Sequence, residues 1–169
     1  MTSYARHLIL YLGGCSAALC APAYAVTQSA SVNAQVVRPL TLTSVQNLDL
    51  GTIVLGAGTW SGATLGISKG GVFTCSPNVT CTGTPRVAQF NVTGTNKMVV
   101  LISAPNVTLV NQNNSSQTLS LAIDSPGQVT LTNDGQPGIN FNIGGSVALS
   151  SSTAGGTYRG TIDVTVNYQ

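Results

Sequence analysis

From residue 30 onward the chain is a succession of short segments in which apolar and polar residues alternate: A-S-V-N-A-Q-V-V, P-L-T-L-T, T-L-G-I-S, V-A-Q-F-N-V-T, K-M-V-V-L-I-S, N-V-T-L-V, T-L-S-L-A-I, I-N-F-N-I, S-V-A-L-S and I-D-V-T-V-N-Y. Successive side chains of a strand point to opposite faces, so a period of two marks a half-buried strand. Turn formers stand between the segments, among them S-K-G-G, S-P-N, N-Q-N-N-S-S, D-S-P-G and N-D-G-Q-P-G. Long runs of helix formers are missing. Short strands spaced by about ten residues, with no helical pattern, predict an all-β antiparallel sandwich or barrel, and of these a sandwich. No exact repeat is present, which removes a solenoid.

The first 25 residues read differently. Arg6 and His7 give a short positive region, L-I-L-Y-L-G-G-C-S-A-A-L-C an apolar stretch, and A-Y-A small residues before a cleavage point after Ala25. A membrane anchor needs roughly 20 apolar residues, and Gly13, Gly14 and Pro22 interrupt this run. A lipoprotein reading through L-G-G-C at Cys15 has too short an apolar stretch before it. The expectation is an exported protein with a signal peptide over residues 1–25, no membrane span, and one β domain over residues 26–169. That length can bury about two thirds of its unfolded surface.

Export frames the cysteines and the charge. Cys15 and Cys20 leave with the signal, while Cys75 and Cys81 bracket S-P-N-V-T, a turn-forming segment between short extended stretches. In an oxidising compartment two cysteines this close predict a disulfide across a hairpin-like loop, stabilising by roughly 2 to 3 kcal/mol. Arg38, Lys69, Arg86, Lys97 and Arg159 are scattered against Asp49, Asp124, Asp134 and Asp163, and glutamate is absent. Nucleic-acid binding requires clustered Lys and Arg, so no nucleic-acid partner is expected.

Catalytic constellations are missing from the residues after Ala25. The single histidine, His7, lies in the leader, so no imidazole base is left for Ser-His-Asp or Cys-His chemistry and no metal site forms around Cys75 and Cys81. Lys69 sits in a turn and Lys97 at a strand start, where neither is set up as a buried base. The four aspartates form no calcium-loop motif, and Asp134 and Asp163 suit surface positions. The asparagines of the three N-V-T triplets, Asn78, Asn91 and Asn106, carry no weight, since alternating polar and β-branched residues produce the triplet by chance. No enzyme activity, metal or cofactor is expected.

The last segment carries the functional reading. In T-Y-R-G-T-I-D-V-T-V-N-Y-Q, Ile162, Val164, Val166 and Tyr168 fall on one face and Thr161, Asp163, Thr165 and Asn167 on the other. A terminal alternating strand offers backbone groups and an apolar stripe to a partner. The penultimate aromatic Tyr168, the alternating stripe, and Gly156 at the fourteenth position from the end resemble the C-terminal signature of chaperone-usher pilin subunits. A-Q-V-V-R-P-L-T-L-T, N-L-D-L-G-T-I, and F-N-I-G-G-S-V-A-L followed by G-T-Y-R-G-T look like a family of uncharacterised exported bacterial β domains. That family is similar to fimbrial subunits and to spore-coat-protein-U-like domains.

The resemblance implies an immunoglobulin-like β-sandwich one strand short, completed by a periplasmic chaperone and then by a neighbouring subunit delivered through an outer-membrane usher. Ile162, Val164, Val166 and Tyr168, led in by Gly156, would line the acceptor groove. Val26, Ala30, Val32, Ala34 and Val36 share one parity and would form the donor strand. The expected function is therefore a structural subunit of a surface fibre. Two alternatives remain: a complete sandwich whose first strand is simply 26–36, and a monomeric secreted domain that binds carbohydrate through loops near Trp60.

Overall fold

Strand β11 organises the molecule. A computed structural model of the chain describes residues 25–169 and contains, among them, thirteen strands and no helix. These are β1 (Thr41–Gln46), β2 (Thr52–Leu55), β3 (Ala63–Ile67), β4 (Phe73–Cys75), β5 (Val79–Thr82), β6 (Ala88–Thr93) and β7 (Val99–Ser103). They continue as β8 (Val107–Asn111), β9 (Thr118–Asp124), β10 (Gln128–Thr130), β11 (Ile139–Leu149), β12 (Tyr158–Arg159) and β13 (Thr165–Tyr168). Every pairing is antiparallel, and the largest sheet, of eight strands, curls into a half-barrel. Its main path runs β1-β6-β11-β9-β8-β12, with β3 on β11 and β4 on β3; β10-β7-β13 and β2-β5 form two smaller sheets.

The eleven-residue β11 pairs with β6 through Ile139–Ile143, then with β9 through Gly144–Val147 and with β3 through Gly145–Leu149. The sequence reads as two segments here, I-N-F-N-I and S-V-A-L-S, yet the backbone passes between them without a turn. A side chain at Gly144 would run into the Ile67 carbonyl and into Ser68 and Lys69, so glycine lets the end of β3 close onto the strand at this point. Alternation is unbroken across the junction. Phe141 and Ile143 enter one buried cluster with Ala88, Val92, Val100, Ile102 and Leu131; Val147 and Leu149 enter a second with Ala63, Leu65, Val79 and Leu121. Phe141 also faces Phe90 directly across the ladder, ring centroids 5.7 Å apart and stacked. Full burial of a side chain such as Leu65 or Ile143 contributes about 1.5–3 kcal/mol.

Cys75 and Cys81 are bonded, as expected. The loop between them is not a hairpin, however: β4 pairs with β3 and β5 with β2. The bridge therefore fastens the two-stranded β2-β5 ribbon to the edge of the large sheet, and Ile53, Leu55 and Cys81 of the ribbon pack on the second cluster. β2 and β10 are strands that alternation alone does not flag. Residues 36–169 make up one unit; in the described part of the other, residues 25–35, no strand is assigned. The segment A-S-V-N-A-Q-V-V, expected as a strand, belongs to no ladder in this single chain. A strand exists only through pairing.

Candidate functional site

The terminal segment is two strands separated by a crossing. Tyr158–Arg159 pairs with Asn111–Val110 of β8 in the large sheet, whereas Thr165–Tyr168 pairs with Ser103–Val100 of β7 in the three-stranded sheet. Residues 160–164 pass from one sheet to the other and belong to neither ladder. The single strand expected from the sequence is thus split, because its two ends find partners in different sheets. Its facial alternation survives intact: Thr161, Asp163, Thr165 and Asn167 are exposed, and Ile162, Val164, Val166 and Tyr168 are half-buried against the first cluster. None of the four reaches the burial of Val100 or Ile143 beneath them.

β13 pairs with β7 alone, and the Gln169 N–H also goes to the Val99 carbonyl on that side. Its other edge carries no ladder among the described residues. β1 is likewise an edge, paired with β6 only, and Leu40 and Leu42 at its start are half-buried on the same cluster. One hydroxyl ties the end of β13 to the segment that leads into β1 and to the residues after β6. Tyr168 Oη accepts the Thr95 N–H at 2.8 Å and donates to the Arg38 carbonyl at 2.7 Å, while the Arg38 N–H donates to Thr95 Oγ1 at 2.7 Å.

Gly156 is set by a residue that the sequence reading passed over. Asn111 is buried to 2% exposure at the end of β8. Its Nδ2 donates to Gln117 Oε1 at 2.8 Å and to the Gly155 carbonyl at 3.2 Å, and its Oδ1 accepts the Asn113 N–H at 2.9 Å. A side chain at Gly156, where φ is +154°, would collide with the Asn111 amide. Gly156 therefore fixes where the terminal segment enters the fold and lies apart from the four apolar residues. One signal could have revealed Asn111: it continues the parity of Val107 and Leu109, the inward face of β8.

Val26, Ala30, Val32, Ala34 and Val36 are all exposed, Val32 to 92%. Ala25 is exposed and stands at the start of the described residues, and the rest of the signal segment lies outside them. Trp60 is half-buried on the second cluster and its indole N–H donates to the Gly56 carbonyl at 3.0 Å, so the ring is built into the fold. Lys69 is paired with Asp124 at 2.8 Å. Among the described residues no group of three or more His, Cys, Asp or Glu side chains could hold a metal ion.

These features define a class: an all-β domain of curled antiparallel sheets whose last strand is a sheet edge over the core. The chain belongs to the family of the domain of unknown function DUF4402, which matches residues 40–168. No curated protein and no solved structure matches it.

Proposed function

We propose that the protein is a structural subunit of a surface fibre, assembled when the N-terminal segment of one subunit pairs with the terminal edge of the next. The single observation that carries this reading is the pairing state of β13. It has a ladder on one side only, yet its Val166 and Tyr168, with Ile162 and Val164 of the crossing just before it, lie half-buried on the core cluster. An edge strand with half-covered apolar residues is a template for strand addition, in which backbone bonds supply affinity and alternate side chains fill the gap. Val26, Ala30, Val32, Ala34 and Val36 supply the complementary parity and are exposed in the single chain. In this reading the fold is an immunoglobulin-like β-sandwich short of its final strand. The leader directs export, a periplasmic chaperone covers the edge first, and an outer-membrane usher passes the subunit on. A head-to-tail contact of this kind does not close on itself and grows into a filament.

The test is self-complementation. A second copy of residues 26–36, joined through a flexible linker behind Gln169, is expected to give a monomer that melts well above the unmodified protein in thermal denaturation. The unmodified protein is expected to polymerise on concentration. Equal melting temperatures, with both proteins monomeric by light scattering, would overturn the reading.

A further inference from the structure

A second surface, which does not involve β13, carries a recess. Between the start of β9, the 150–154 loop and β12 lies a recess of about 270 Å³, lined among others by Gln117, Thr118, Ser150, Ser152, Thr153 and Tyr158. No charged side chain lines it. A phosphate or carboxylate would therefore find no cationic side chain to pair with there. The wall instead mixes neutral donors and acceptors with one aromatic ring.

These groups are held in place by bonds that leave part of their capacity free. Gln117 Oε1 is fixed by the buried Asn111 amide, whereas its Nε2 amino group has no partner among the described residues. Thr153 Oγ1 accepts the Ser150 N–H at 3.0 Å, which leaves its own proton available. Ser150 and Ser152 hydroxyls are 2.9 Å apart and share one proton, so the other proton of the pair is also free. The loop is closed by the Thr153 N–H on the Ser150 carbonyl at 3.0 Å, and Tyr158 is pinned through its hydroxyl to the Ala154 carbonyl at 2.9 Å. A preformed neutral recess with a few convergent polar groups and an aromatic wall matches a ring that carries several hydroxyls, each able to donate and accept. We propose that this recess is a binding site for a neutral saccharide unit. It stands whether or not subunits polymerise.

The experiment titrates isotope-labelled protein separately with glucose, galactose, mannose and N-acetylglucosamine and follows the Gln117 side-chain amide, the Tyr158 ring and the 150–154 backbone by NMR. Saturable shifts confined to those resonances with at least one sugar are expected. Gln117→Glu keeps an oxygen for Asn111 but removes the free amino group, and is expected to weaken that binding about tenfold. Should that variant not fold, Ser152→Ala, at an exposed position, tests the same recess through a different hydroxyl and is expected to weaken binding likewise. Absence of saturable shifts with all four sugars overturns the proposal, and so does binding that the folded variant leaves unchanged.

Discussion

The hydroxyl of Tyr168 does what the valines before it cannot: it bonds to two backbone groups from different parts of the chain, Thr95 and Arg38. Tyr168→Phe keeps the ring on the core and removes both bonds. It is expected to lower stability by about 1–2 kcal/mol, read as a shifted midpoint in urea at unchanged slope. The outward or inward direction of residues 161 to 168 was legible in the sequence, because facial alternation depends only on local backbone geometry. The partners of Tyr168 were not, since they are set by contacts 73 and 130 residues away in sequence. Asn111 lies between these cases. Its parity pointed inward, but the polar run N-Q-N-N-S-S that it opens reads as a turn.

At the scale of elements, what the alternation could not convey was pairing. Ile139 to Leu149 is one strand because three different neighbours accept it along its length, and β4 and β5 part company because each finds a partner elsewhere. Strand existence is local, whereas ladder membership is a property of the assembled sheet. The turn between β3 and β4 offers a check by pH. The Lys69 ammonium, and then the Lys69 N–H, bond the Asp124 carboxylate at the end of β9 and hold its pKa below the ordinary carboxylate value. A depressed carboxylate contributes stability that is present above the unfolded pKa, near 3.9, and lost as pH falls through the lower folded value. The two side chains are 46% and 39% exposed, so screening limits the contribution to below about 1 kcal/mol. Asp124→Asn is expected to flatten the fall of melting temperature below about pH 4 and to leave little salt dependence at neutral pH.

For the whole molecule, the fibre reading separates assembly from folding. Val32 lies in a segment with no assigned strand and is 92% exposed. Val32→Asp is expected to leave the melting temperature of the isolated subunit unchanged while abolishing polymer growth in light scattering, because a charge cannot enter an apolar cleft without a large desolvation penalty. Growth unaffected by this change would remove the donor role of that segment. The continuity of β11 bears on a different property. One uninterrupted backbone supplies Phe141 and Ile143 to one interior cluster and Val147 and Leu149 to the other, with Ile123 and Leu48 touching both. Neither half can melt without tearing the ladder that anchors its counterpart, so heat should undo residues 36–169 in a single all-or-none step, with calorimetric and van't Hoff enthalpies in agreement.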